Sequence, residues 1–245
     1  MNILSGPKLG DFIHSLIVPK YLYDNGYRDI NIVLGEVFDN FSLGFDRAFE
    51  DLKYIVESQE YTNTFKKLEE SDQIDMNLCM FRGSPLLNKK PFWKVYLHTF
   101  LQNEPKVPKN YNWLTLPKVD GYSDTLIINR SHTRDTCTYT KHTHNEYEKV
   151  MSKYDRKLFI CFDIEQYNNF AHKDKCEVYQ PKDLLEFCTI INSGKRFLGN
   201  QSSPLAIATA LNVPRTGELL YNATQLHYLN DYLYYDNCNF FVSNQ

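Results

Sequence analysis

The sequence predicts an α/β protein made of two Rossmann-like domains facing each other across a cleft, over residues 1–115 and 120–245. Three observations predict it. The chain opens as strand, glycine turn, helix and strand, the order of a parallel βαβ unit. After residue 120 short apolar strands again alternate with helical patterns. Between the two stretches lies a linker at 103–120, punctuated by Pro105, Pro108 and Pro117.

In the first half, Asn2-Ile3-Leu4-Ser5 is a strand and 6–10 a glycine turn. Asp11 opens a helix whose apolar residues Phe12, Ile13, Leu16 and Ile17 have helical spacing. Pro19 kinks that helix and Asn25-Gly26 ends it. The run "DINIVL" at 29–34 is the second strand. Residues 45–57 form an amphipathic helix, and the charged segment 61–70 an exposed helix or hairpin end. Residues 76–81 read as a strand and 92–101 as a helix after Pro91. In the linker, Trp113 offers an aromatic contact for a partner.

In the second half, strands are expected at 125–129, 157–162, 177–179 and 196–198. Helices are expected at 145–154, 164–172 and 184–191. A further helix follows the turn Gly199-Asn200-Gln201-Ser202-Ser203, with Ser202 or Ser203 as N-cap and Pro204 in its first turn. The chain then ends in a tyrosine-rich tail.

Bulk composition narrows the function. A hydrophobic content of 42% over 245 residues supports a buried core. A net charge of −3 argues against broad binding to nucleic acid. No segment has the apolar length of a membrane span, and the N-terminus lacks the pattern of a signal peptide. Six scattered cysteines without a C-x-x-C pair suit free thiols in a reducing, cytoplasmic setting.

Three turns carry chemistry. At 199–203 a strand passes directly into a helix, so N–H groups and the helix dipole can receive a phosphate while the serines add donors. The same turn also fits a plain capped crossover. In "SGPKLGDFIH", Gly10 gives a flexible backbone, Asp11 a carboxylate at the helix start and His14 a second polar group one turn on. Asp11 suits a general base and equally an N-cap. Arg130 and Arg134, after the strand "TLIIN", suit phosphate oxygens or a solvated loop. Lys141, His142 and His144 have no matching ligand pair, so no metal site is expected.

Two of these turns bear a resemblance. "GDFIHSLIVP" resembles the opening motif of the ADP-heptose–lipopolysaccharide heptosyltransferases (glycosyltransferase family 9). "FLGNQSSPLAIATALNVP" is similar to their second-domain signature, in the same order and at matching separation. The resemblance implies a compact GT-B fold, with a nucleotide-sugar donor on the second domain and the acceptor on the first. It implies Asp11 as catalytic base, with His14 assisting. It places the donor diphosphate near the second motif, at Gly199, Asn200, Ser202 and Pro204. With the chemistry of the turns themselves, the expected phosphate-binding set is Gly10, Arg130, Arg134, Gly199, Asn200, Gln201, Ser202 and Ser203. The implied reaction moves a hexose or heptose to the hydroxyl of a glycan or other acceptor, with neither metal nor cofactor. Gln201 stands where the family has Asp, Ser203 where it has Gly, and Ile207 near its His. These departures keep a catalytically silent nucleotide- or sugar-binding module as the alternative. A glycosyltransferase acting on modified DNA is a further one, against the charge.

Overall fold

The computed structural model describes residues 1–6, 8–36, 44–87, 90–101, 105–108, 110–131, 140–220 and 238–243. The chain divides into two compact units, Met1–Thr115 and Leu116–Gln245. Each is an α/β unit around one all-parallel sheet, of four strands in the first and six in the second.

In the first unit, β1 (Asn2–Ser5) leads into α1 (Leu9–Ser15), then α2 (Ile17–Asp24) and β2 (Asn31–Leu34). Helix α3 (Phe45–Glu57) precedes β3 (Thr64–Lys67). A two-residue strand, β4 (Met76–Asn77), runs into a 3₁₀ turn, Leu78–Gly83, and α4 (Phe92–Phe100) packs on α1 and α2. The strand order is β3-β2-β1-β4. Ile3, Leu4, Ile32, Val33 and Leu34 are buried, as strands covered on both faces require.

Several expectations need correction here. Leu9, not Asp11, opens α1, and Lys8 is its N-cap with no side-chain cap bond. Asp11 is therefore an acidic residue of the first turn, where the helix dipole favours it. Pro19 does not kink one long helix. The helix breaks at Leu16, and Pro19 falls in the first turn of α2, where a missing N–H costs no intrahelical bond.

The segment 61–70 holds a strand, β3, in place of a helix or hairpin end. It is an edge strand, with Phe65 buried on β2 and its lysines only partly buried. Lysine-bearing edges deter pairing with other chains. Residues 78–81 leave the sheet as a 3₁₀ turn.

Trp113 is not a partner-facing aromatic. It is fully buried, its indole Nε1 donates to the Ile13 carbonyl at 2.8 Å, and the Tyr61 hydroxyl donates to its carbonyl at 2.7 Å. Its ring lies near His14 and Trp93. The proline-flanked segment thus returns to complete the core beneath α1.

In the second unit, β5 (Leu126–Asn129), α5 (Lys141–Met151), β6 (Lys157–Ile160), α6 (Ile164–Asn168) and β7 (Glu177–Tyr179) form one wing. Helix α7 (Leu184–Ser193) returns the chain to β8 (Arg196–Asn200). Then follow α8 (Ser203–Ala210), β9 (Arg215–Leu220) and β10 (Cys238–Ser243). The order is β10-β9-β8-β5-β6-β7. Two strands, β9 and β10, thus lie in the stretch the sequence marked only as a tyrosine-rich tail. The core gathers Leu126, Ile128, Tyr147, Met151, Phe159, Phe170 and Leu198.

Trp113→Ala should destabilise the first unit by about 3–5 kcal/mol, through a large cavity under α1 and loss of the Ile13 bond. Urea denaturation, followed by the loss of helical circular dichroism, checks this. A change below about 1 kcal/mol would place Trp113 outside the core.

Candidate functional site

Both sheets have the same topological property. In each, the chain moves outward from the first strand in one direction and then crosses to the other side. The reversal falls between β1 and β4 in the first unit and between β5 and β8 in the second. At such a switch point the connections leave in opposite directions. A crevice then opens beyond the strand carboxyl ends, where α/β sheets bind ligands.

At the first switch point, the Gly6 turn follows β1 and the 3₁₀ turn follows β4. A Cβ on Gly6 would lie 2.8 Å from the Gly35 carbonyl oxygen, so only glycine lets the turns after β1 and β2 pass this closely. The Ser5 hydroxyl bonds that of Ser15, which donates to the Phe12 carbonyl, tying the strand end to α1.

This anchoring holds Asp11 at the sheet mouth, 4% exposed, where its carboxylate accepts from Arg82 Nη2. Arg82 arrives from the turn after β4, and its side chain is 46% exposed. It also lies over the Phe81 ring, 5.0 Å from the centroid.

Sequence reasoning missed this arginine. Its one signal was a guanidinium just past a strand, the pattern that had singled out Arg130. His14 sits one turn beyond Asp11, against Phe92 and Trp113. Gly10 is the second residue of α1.

Behind the pair, the fully buried Tyr96 stacks on Phe81 with centroids 4.5 Å apart. Its hydroxyl has no hydrogen-bond partner among the described residues. Burial first, and then the Asp11 charge, hold its phenol well above the usual range, so it remains a proton donor. Burial likewise pushes the nearby Cys79 thiol up to about 11. Neither residue had a sequence signal beyond core packing.

At the second switch point, Asn129 and Gly199 are paired across β5 and β8, and Asn200 faces Glu218 across β8 and β9. A Cβ on Gly199 would come within 2.5 Å of the Asn129 carbonyl oxygen and 2.7 Å of the Phe197 ring. The close strand approach therefore requires this glycine by itself.

Asn200 is fully buried. Its Nδ2 donates to the Ser131 carbonyl at 2.9 Å and its Oδ1 accepts from the Ser131 N–H at 3.1 Å, stapling the two turns together. Ser202 is the N-cap residue by position, but its hydroxyl donates back to Asn200 in place of capping. Ser203 begins α8, and it and Gln201 are partly buried beside that helix start.

Arg130 stands elsewhere in the network than a free phosphate ligand would. It is 4% exposed, and its Nε and Nη2 bond the fully buried Glu218 carboxylate at 2.8 and 3.1 Å. The Tyr147 hydroxyl donates to the same carboxylate at 2.9 Å. The pair spans β8 from the end of β5 to β9 and supports the 199–203 turn.

Arg134 lies outside the described residues. Asn129, not anticipated, donates through Nδ2 to the Ile160 carbonyl and to Gln166, while its Oδ1 faces no donor among the described residues.

Among the described residues no three His, Cys, Asp or Glu side chains gather to hold a metal ion. None of the described helices is long and apolar enough to cross a membrane.

The sequence matches no protein-family model and no curated protein sequence. The fold does have solved counterparts. ADP-heptose LPS heptosyltransferase II of E. coli aligns with a TM-score of 0.60 at 12% identity, over 98% of this chain and 89% of that one. E. coli heptosyltransferase WaaC, solved with ADP, aligns with a TM-score of 0.55 at 11% identity, over 98% and 92%. A glycosyl transferase family 9 protein from Veillonella parvula gives 0.60 at 9% identity, over 98% and 85%. This chain thus has the α/β fold of the GT-B heptosyltransferases over nearly its whole length.

Glu218→Gln should destabilise the chain by about 3–5 kcal/mol, because it removes the buried carboxylate charge that two nitrogens of the buried Arg130 engage. Arg130→Met combined with Glu218→Leu should recover most of that loss. Equilibrium denaturation of the three variants is the measurement. A mild single-variant effect would show Arg130 to be satisfied by other groups.

Proposed function

We propose that the protein is a glycosyltransferase, moving a sugar from a nucleotide-diphosphate donor to an acceptor hydroxyl without a metal ion. One observation carries this reading: the Asp11 carboxylate is anchored at the first switch point of a fold shared with ADP-heptose enzymes. The acceptor binds at the first unit and the donor at the second.

In the reaction, the acceptor O–H gives its proton to Asp11 while its oxygen bonds to the anomeric carbon. The bond from that carbon to the diphosphate breaks, and the diphosphate leaves with the electron pair. At the start of α8 the helix dipole, the Ser203 N–H and the Ser203 hydroxyl suit that growing charge. Asn200 supports the turn rather than the ligand, and Arg130 acts through Glu218 in the same way. The Asn129 Oδ1 atom, a buried acceptor at the end of the central strand, suits a hydroxyl or amino group of the nucleotide.

A catalytically silent binding module is the second reading. It is favoured by the engagement of Asp11 with Arg82 and by Gln201, where the resembling motif carries a carboxylate.

Two measurements test the proposal. A nucleoside diphosphate should bind in the presence of EDTA, and Ser203→Ala should weaken it by roughly 1 kcal/mol, the worth of one hydrogen bond. Isothermal titration reads this, and a strict Mg²⁺ requirement would refute the metal-free donor site. Asp11→Asn should leave nucleotide binding intact yet lower transfer by at least about 10²-fold, since Asn cannot take the proton. Nucleotide binding without transfer or hydrolysis across a broad donor panel would establish the silent module instead.

A further inference from the structure

We infer that the open edge of β7 is a self-docking surface, through which two copies of the chain join antiparallel about a two-fold axis at Val178 and merge their six-stranded sheets. The inference is independent of the proposed reaction.

Strand β7 is the last of its sheet, and its residues Glu177, Val178 and Tyr179 are all exposed. The Cys161 N–H bonds the Tyr179 carbonyl at 3.2 Å, so Tyr179 turns its backbone groups toward β6. Backbone groups alternate sides along a strand, and those of Val178 therefore point to the open edge. Edge strands are commonly blunted by lysine, as β3 is. The outward position of β7 carries a valine instead.

Apolar surface continues around this edge. Among the described residues the second unit exposes five large apolar side chains, and four of them, Phe162, Ile164, Val178 and Tyr179, flank β7 at 37–42% exposure. Phe162 is tied to the strand end by Gln180 Nε2, which donates to its carbonyl at 3.1 Å, and Ile164 opens α6 just beyond it. At about 150–250 Å² for an aromatic side chain, and less for valine and isoleucine, the four offer on the order of 300 Å² per copy. A standard interface takes roughly 800 Å² from each partner, somewhat over half of it apolar. The patch supplies most of that apolar share, which suits a reversible dimer.

Charge selects a second copy over a foreign strand. Residues 173–183 read KDKCEVYQPKD, with Val178 at the centre. Folded back about Val178, this stretch sets Lys173 against Asp183 and Asp174 against Lys182, and no two like charges fall opposite. Asp174 and Lys182 are both exposed. An antiparallel copy thus presents each opposite-charge pair twice, while Val178 exchanges both N–H···O bonds with its own counterpart. A strand of unrelated sequence gains those backbone bonds alone.

Sedimentation equilibrium of the full chain across a range of concentrations is the test. It should show a reversible dimer of about 58 kDa, twice the 28.9 kDa chain. Val178→Pro removes the outward N–H and spares the ladder to β6, so it should keep the parent's circular dichroism yet raise the dimer Kd at least about tenfold. Val178→Lys serves if the proline variant does not fold. Asp174→Lys and Lys182→Asp should each weaken the dimer by about threefold or more, and the double variant should return to within about twofold of the parent.

A chain monomeric at every concentration would overturn the proposal and leave the edge open to a strand of another protein. A dimer untouched by the Val178 variants would overturn β7 as its interface. Charge variants without effect, or losses the double variant does not rescue, would overturn the two-fold register.

Discussion

The constraint behind both candidate sites is the reversal of strand order beside the first strand of each sheet. Parallel strands all end at the same edge, and each chain must leave that edge toward one face. Where successive connections go to opposite faces, the backbone is drawn apart and polar strand ends are left over the crevice. In the first unit the reversal brings Asp11, after β1, to Arg82, after β4. In the second it brings Arg130 and Ser131, after β5, to Asn200, at the end of β8. Residues far apart in sequence meet for one topological reason.

Those polar ends must then be satisfied, because an unpaired buried polar group costs about 1–3 kcal/mol and a charge more. At the second switch point the groups after β5 and on β8 and β9 meet the demand, while Asn129 Oδ1 at the end of β5 faces no donor among the described residues. Asn200 saturates its amide on the Ser131 peptide, and Glu218 collects both edges of its arginine contact and the Tyr147 hydroxyl. Gly199 lets these strands approach closely enough for the staple to close. The glycine, asparagine and arginine that had looked like phosphate ligands are thereby explained by the construction of the turn.

Legibility in the sequence followed the range of the interaction. Helices α3 and α4 were readable because their apolar spacing is local, and β1, β5 and β7 because short apolar or β-branched runs stop at turn residues. Strand β3 was not readable, since an edge strand with lysines has only Phe65 to reveal its buried side. Strand β9 carries a buried arginine and a buried glutamate, charges that argue against a strand until their partners are known. Trp113 looked like linker because prolines flank it, yet its indole closes a bond 100 residues away. Asp11 could be found from its glycine turn. Its partner could not, because Arg82 lies 71 residues distant and only the strand order brings them together.

The two buried carboxylates also differ in how their charge is held, and the difference separates a scaffold from a reactive group. Glu218 and Arg130 are both shut away from water, so breaking their pair exposes an unpaired charge to a medium that cannot solvate it. Asp11 is as buried as Glu218 is nearly, but its arginine is half in solvent. Water can take over the guanidinium as it leaves, so separating this pair costs far less on the arginine side. The charge under the turn after β8 is thus held on both sides by buried groups, and the one at the mouth of β1 by a buried carboxylate and a half-exposed arginine.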